Sequence, residues 1–339
     1  MQLRVPAPLV PGSRVGVTAP SSGVPDALRP RLDAAVDWLE QRGYEVRLGE
    51  CLDGSGHVSA PAERRAAELM DMLLDPGIDA IVPPWGGETA IDLLPLLDFE
   101  ALRRARPCWV VGFSDLSTVL VPLTLVSGWA TLHGPNLMDT PYAVPDGLQH
   151  WTAVAGLPAG GTVRQTPPGV HRARDFDDWA ADPTASSHRW NGTGRWRRLD
   201  ESTAPVDVAG RVIGGCIETV ANLAGTAYGD TAALGDGPRI VYVEAAEDAA
   251  FSICRRLHGM RLAGFFDGAA AVLIGRTTAP DSPGFTQDDA VVDALGALGI
   301  PLIADVDCGH VPPQVPIVNG ALGRVVVDGA QQRFEQVLA

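Results

Sequence analysis

The stretch Val110-Val111-Gly112-Phe113-Ser114-Asp115-Leu116 carries an apolar strand into a glycine and then sets a serine at the mouth of a helix. A serine on so sharp a turn exposes its hydroxyl, and the helix start aims free backbone N–H groups at the space above it, which is half of an oxyanion hole. The same spacing suits a plain N-cap by Ser114 or Asp115. The GxSxG elbow of α/β-hydrolases is not matched, because Leu116 stands where its second glycine would be. A second strand-to-helix turn, Pro83-Pro84-Trp85-Gly86-Gly87-Glu88, has paired glycines that let the backbone approach a ligand and present N–H groups to it, or that form an ordinary turn. It is not GxGxxG, which disfavours a dinucleotide cofactor.

A serine nucleophile needs a base, and the base needs an orienting carboxylate. Of seven histidines, His310 stands in Asp305-Val306-Asp307-Cys308-Gly309-His310, directly after the apolar strand Leu302–Ala304. Glu244 ends the strand Ile240-Val241-Tyr242-Val243 at the same kind of edge, whereas Glu218 falls in the first turn of a helix, where the dipole alone explains it. Ser114, Glu244 and His310 are a candidate triad. Asp305, Asp307, Cys308 and His310 are also a candidate metal cluster, although they crowd one turn and no HExxH-like second cluster supports them.

Those residues have to be positioned by the rest of a 339-residue chain, long enough for two domains, with 46% hydrophobic and 20% charged residues. The net charge of −15 repels polyanions, so a nucleic acid polymer is not expected as a partner. All 26 basic residues are arginine. Without lysine there is no Walker A loop, no pyridoxal or aldolase Schiff base and no Ser-Lys dyad. Five scattered cysteines with no CxxC argue against a disulfide framework or a zinc ribbon and fit a reducing cytoplasm. No signal peptide and no membrane-spanning run of about 18 apolar residues is visible.

Strands at Arg14–Val17, Glu45–Leu48, Ile78–Val82 and Trp109–Val111 alternate with helices over 26–42, 61–74, 88–97 and 114–126, the order of a doubly wound, flavodoxin-like parallel sheet. Its ligands belong in strand-to-helix turns. Residues 1–140 read as this nucleophile domain. Residues 141–205 break into Gly, Pro, Asp, Arg and Trp; between 151 and 200 stand four of the eight tryptophans, Trp151, Trp179, Trp190 and Trp196, and seven arginines against five aspartates. That composition suits an ordered substrate lid, with Trp179, Trp190 and Trp196 stacking on a ligand beside Arg189, Arg195, Arg197 and Arg198, or a linker whose tryptophans fill a seam. From 206 to 339 a second α/β alternation begins, with strands at 208–213, 240–243, 270–274, 302–304 and 324–327.

Taken together, these pieces resemble the serine LD-carboxypeptidase family, which includes the microcin C self-immunity peptidases. The likeness rests on Gly112-Phe113-Ser114-Asp115, Leu132-His133-Gly134-Pro135, Gly86-Gly87 followed by Leu93-Leu94-Pro95, Gly210-Arg211-Val212-Ile213-Gly214-Gly215, the strand ending in Glu244, Phe266-Asp267-Gly268, and Asp307-Cys308-Gly309-His310 leading to Pro316. The resemblance implies a C-terminal domain of the LD-carboxypeptidase type, Ser114 as nucleophile, His310 as base, Glu244 as its orienter and the N–H groups of Gly87 and Asp115 as oxyanion donors, with Gly86 against the substrate. The site would then lie between the domains, with no metal and no cofactor. Two departures stand out: Cys216 follows the second Gly-Gly where the family commonly has Asn, and Trp85-Gly86-Gly87-Glu88 replaces the Arg-Gly-Gly-Tyr type of loop of murein-trimming members. The second, with the Trp-rich insert, points to the microcin-immunity branch and an amide in a peptidyl- or aminoacyl-nucleotide conjugate. The alternatives are removal of the terminal D-residue from murein tetrapeptides and, from another class, a non-catalytic small-molecule binding module. A small substrate, a homodimer and a cytoplasmic location complete the expectations.

Overall fold

The computed structural model describes residues 3–200, 202–329 and 331–339. Strands β1 (Arg14–Val17), β2 (Glu45–Leu48), β3 (Ala80–Ile81), β4 (Trp109–Gly112) and β5 (Thr131–His133) pair in parallel in the order β2-β1-β3-β4-β5. This is the flavodoxin-like doubly wound order, whose ligands bind at the carboxyl ends of the strands. Helices α1 (Arg29–Glu40), α2 (Ala62–Leu74), α3 (Phe99–Arg104) and α4 (Ser117–Leu125) connect or cover these strands. The helix expected over 88–97 is instead a 3-10 turn, Ala90–Leu96, with Pro95 inside it, followed by the separate α3. Proline removes a helix donor and clashes with the preceding turn, which splits the segment.

The segment after β5 contributes α5 (Trp151–Ala155), β6 (Thr162–Gln165), the ribbon β7 (Val170–His171) with β8 (Gly192–Thr193), and β9 (Arg197–Arg198). The second half adds β10 (Val206–Cys216), α6 (Ile217–Val220), β11 (Arg239–Glu244), α7 (Ala250–Leu262), β12 (Ala269–Gly275), α8 (Gln287–Leu295), β13 (Leu302–Val306), β14 (Ile317–Asn319), β15 (Leu322–Asp328) and β16 (Gln331–Val337). Among the described residues, eight strands form the second sheet in the order β6-β16-β15-β10-β11-β12-β13-β9. Strand β10 is longer than the expected 208–213: it pairs antiparallel with β15 and parallel with β11. Strand β14 leaves this half of the chain to lie antiparallel on β5, while β6 and β9 leave the insert to join the second sheet. Composition breaks at 140 and 205 therefore do not coincide with the edges of the sheets.

Helix α4 is what the two halves share. All nine of its residues, Ser-Thr-Val-Leu-Val-Pro-Leu-Thr-Leu, are buried, and one continuous apolar cluster runs from Leu69 and Leu93 through Val119 and Leu123 to Ile213, Val241 and Ile253. A helix apolar on every side has no solvent face and has to be enclosed. The residue that leads into it, Ser114, is thus fixed against both sheets.

Candidate active site

Strand β4 ends in Gly112, where Leu116 and Asn136 fill the space a side chain would need. Ser114 follows with φ +63, a left-handed conformation that costs a non-glycine residue on the order of 1–3 kcal/mol. The surroundings hold it there: Phe113 N–H donates to Asn136 Oδ1 at 3.2 Å, and Asp115 Oδ2 accepts from Ala90 N–H at 2.8 Å. The second bond ties the serine turn to the loop carrying Gly86 and Gly87. A methyl group placed on Gly86 would lie 3.1 Å from both Ser114 Oγ and Asp115 N, so the absent side chain leaves open the space beside hydroxyl and amide where an oxyanion would form. Gly87, with φ +145, is pressed against Ser21 and Ser22 and has no room for a Cβ.

The structure brings the three candidate triad residues together across the halves of the chain. His310 Nε2 lies 3.0 Å from Ser114 Oγ, and His310 Nδ1 lies 2.7 Å from Glu244 Oε2. Glu244 is the last residue of β11 and fully buried; the imidazole keeps about a quarter of its surface exposed. Burial alone would depress the His310 pKa, but the adjacent Glu244 carboxylate overrides it and holds the imidazole above its ordinary value. Burial would likewise raise Glu244, and the charge and hydrogen bond of His310 instead bring it below the usual range. Phe113 rests edge-on against the imidazole at 4.9 Å and fixes its plane. This arrangement can deprotonate a hydroxyl and stabilise the resulting imidazolium.

The four residues of the alternative metal cluster do not converge. Asp305 pairs with Arg197 and Arg276, Asp307 accepts from the Trp196 indole, Cys308 is buried, and His310 is committed as described. Two other groupings bring ligand atoms within 4.8 Å of one another: Cys216, Glu244, His310, and, at the surface, Cys254, His258, Asp293.

Above Ser114 opens a cleft of about 520 Å³, floored by Ser114, His310, Gly86 and Gly87 and walled by Trp85, Tyr142, Arg172, Phe176, Trp179 and His188. Of the tryptophans expected in a lid, Trp179 lines the cleft, its indole N–H on Tyr142 Oη at 2.8 Å and its ring over the Arg31 guanidinium at 4.9 Å. Trp190 stands one layer back, against His188, which stacks on Tyr142 at 4.0 Å. Trp196 has to be corrected: it is 3% exposed in the core of the second sheet, with its N–H on Asp307 Oδ2 at 3.0 Å, because the β9 segment that follows it docks on β13. Arg197 and Arg198 likewise face carboxylates, Asp288 and Asp305 for the first and Asp200 for the second. The arginine at the cleft is Arg172, buried and paired with Asp177 Oδ2 at 2.5 Å. Composition does not single out Trp85, Phe176 and Arg172 as ligand contacts; Trp85 has a signal in its place before the double glycine, and Phe176 in being an aromatic residue between Asp175 and Asp177.

Glu218 does more than cap a helix. Its Oε1 accepts from the N–H groups of Ala246, Glu247 and Asp248 at 2.9, 3.0 and 3.2 Å, which fixes the chain where it leaves Glu244.

Fold and matching domains together define a hydrolase of the serine carboxypeptidase type. Residues 15–134 match the LD-carboxypeptidase N-terminal domain and residues 209–325 the LD-carboxypeptidase C-terminal domain, and the chain belongs to the LD-carboxypeptidase family. It is 24% identical to the microcin C7 self-immunity protein MccF of Escherichia coli over 93% of this chain and 90% of that one. The wild-type apo structure of MccF superimposes with a TM-score of 0.83 at 20% identity, covering 98% of each chain; further MccF structures contain aspartyl sulfamoyl adenosine or glutamyl sulfamoyl guanosine. The muramoyltetrapeptide carboxypeptidase of Oxalobacter formigenes superimposes with a TM-score of 0.69 at 19% identity, covering 96% of this chain and 98% of that one. Among the described residues no helix is long and apolar enough to cross a membrane.

Proposed function

We propose that the chain is a serine peptidase in which Ser114, His310 and Glu244 act as one unit on an amide of a small peptidyl- or aminoacyl-nucleotide conjugate. The observation that carries the reading is the continuous pair of contacts, 3.0 Å from Ser114 Oγ to His310 Nε2 and 2.7 Å from His310 Nδ1 to Glu244, on a serine held at φ +63. Ser114 Oγ attacks the carbonyl carbon while its proton passes to His310 Nε2, and the imidazolium so formed is stabilised by Glu244. The carbonyl oxygen takes the charge and is met by the N–H groups of Asp115 and Gly87. His310 then returns the proton to the leaving nitrogen, and water, deprotonated by the same imidazole, releases the acyl group from Ser114.

For the substrate, the aromatic walls Trp85, Phe176 and Trp179 supply flat faces for a base, each stack contributing roughly 1–3 kcal/mol. The likeness to MccF, whose structures include aminoacyl sulfamoyl nucleosides, supports the same choice. A murein tetrapeptide is the second reading, favoured by 32% identity over 123 residues to the murein tetrapeptide carboxypeptidase of Pseudomonas aeruginosa. The test is to incubate the protein separately with an L,D-tetrapeptide and with an aminoacyl sulfamoyl adenosine and to read the products by mass spectrometry. Release of the free amino acid from the nucleoside conjugate supports the proposal; release of only the terminal D-residue from the tetrapeptide transfers the chain to the second reading.

A further inference from the structure

We propose that Cys216, Glu244 and His310 form a binding site for a soft divalent cation of the zinc class, and that filling it switches the triad off. Cation binding stands independently of the proposed function; only its inhibitory consequence rests on that reading. Cys216 ends β10 beside Glu244 at the end of β11, in direct parallel register. The ligand atoms of Cys216, Glu244 and His310 all lie within 4.8 Å of one another, so they fit within a circle of radius about 2.8 Å, that is 4.8 Å divided by √3. Zinc bonds to sulfur at about 2.3 Å and to imidazole nitrogen at about 2.0–2.1 Å, so closing on the ion takes side-chain movements of up to roughly 0.5–0.8 Å.

An independent observation points to a ligand here. Glu244 Oε1 is buried and makes no well-formed hydrogen bond among the described residues, with the Cys216 thiol facing the carboxylate, whereas Oε2 is taken by His310. A carboxylate oxygen left so is an open donor at low dielectric. The Cys216 thiol also donates to Glu218 Oε2 at 3.2 Å, an acceptor for its proton beside the cluster but outside the three ligands themselves. Glu218 also lines a separate cavity of about 260 Å³ in which the carboxylates of Glu88, Asp115, Glu218, Glu247 and Asp248 outnumber the Arg256 guanidinium, so the field beside the site favours a cation. Sulfur and imidazole select zinc over magnesium or calcium.

The inhibitory step follows from the tautomer. A neutral imidazole carries one N–H; in the triad it is on Nδ1, facing Glu244, and Nε2 accepts from Ser114. Zinc takes the Nδ1 lone pair, the remaining proton moves to Nε2, and that nitrogen can then only donate to Ser114. Coordination by Cys216 releases its thiol proton to solvent, one proton per ion.

Zinc uptake by the full chain is measured by competition with a chromophoric chelator, in parallel with labelling of Ser114 by a fluorophosphonate, for the native protein, Cys216→Ser, Cys216→Ala and Cys254→Ser. The last variant removes a ligand from the surface trio Cys254, His258 and Asp293. The expected result is one equivalent whose uptake suppresses labelling and survives Cys254→Ser, whereas either Cys216 variant, folded by circular dichroism, weakens affinity at least about tenfold and labels normally in zinc. Absent uptake, unchanged affinity in both Cys216 variants, or loss of the equivalent in Cys254→Ser alone would overturn the proposal. Uptake that depends on Cys216 in a protein that no fluorophosphonate labels would leave the cation site standing and remove the serine mechanism instead.

Discussion

The backbone N–H of Cys216 donates to the side-chain oxygen of Ser117 at 3.1 Å, a single buried bond that joins the strand beside Glu244 to the helix that Ser114 opens. Ser114 and His310 come from different halves of the chain, so their 3.0 Å contact depends on ties of this kind. Ser117→Ala leaves a buried donor unmet, at about 1–3 kcal/mol of stability, and lets the elbow shift against His310. Since misplacement of about 1 Å costs on the order of a hundredfold, kcat is expected to fall at least about tenfold with little change in KM and an unaltered pH midpoint. Steady-state kinetics with a folded variant that keeps kcat within a factor of two would show the tie to be dispensable.

The acid limb of the pH profile should lie higher than that of a free histidine. His310 must be neutral to accept the Ser114 proton, and Glu244 holds its pKa above the ordinary 6.5, so activity rises as pH climbs through a midpoint above that value. In Glu244→Gln the adjacent charge is gone, and burial, which favours the neutral imidazole, is opposed only by the smaller pull of Glu218 and Asp139; the midpoint should drop and the rate should fall by on the order of 10⁴-fold as the tautomer is lost. The same shifts set a stability window. His310 contributes fully below pH 6.5 and loses its share as pH rises through its raised pKa; Glu244 contributes above 4.5 and loses its share as pH falls through its lowered one. The difference in Tm between native protein and Glu244→Gln should therefore be greatest between those two values.

Gly86→Ala tests the oxyanion space directly. Its Cβ would sit 3.1 Å from Ser114 Oγ and from Asp115 N, inside the volume a tetrahedral intermediate needs. Removing one oxyanion donor typically costs 10²–10³ in kcat, and a loss of at least about that size is expected, with thermal stability changed by less than about 1 kcal/mol. Retained turnover would move the oxyanion elsewhere.

Phe176 and Trp179 separate ligand contact from structure. Phe176 is 57% exposed at the cleft mouth, so Phe176→Ala should leave stability intact and raise KM for a nucleoside conjugate by a factor of about 5 to 150. Trp179 also carries bonds to Tyr142 and a face on Arg31, and Trp179→Ala should both raise KM and lower stability. Equal KM values in native protein and Phe176→Ala would remove base stacking at that wall.

The alternation of strands and helices was legible because parallel strands are nearly continuous apolar runs and their helices are amphipathic. The places of Ser114, Gly87, Glu244 and His310 were legible because each closes or follows a strand at the edge where such sheets hold ligands. What was not legible depended on contacts remote in sequence. Trp179 and Trp196 stand in similar polar surroundings, yet one faces the cleft and the other the core, a choice made by β9 docking on β13. Likewise nothing near Glu218 announces that it receives three N–H groups from residues 28 to 30 positions on. Arg172 and Asp177 pair inside the cleft wall, but in sequence they are two charges in a run of charges.

The central claim is that Ser114 is a nucleophile activated by His310. A fluorophosphonate probe, followed by peptide mapping in a mass spectrometer, measures this without knowledge of the substrate. Stoichiometric modification of Ser114 in the native protein, abolished in Ser114→Ala and slowed at least about a thousandfold in His310→Ala, is the expected result. Modification of a different serine, or labelling of Ser114 at the same rate without His310, would contradict it.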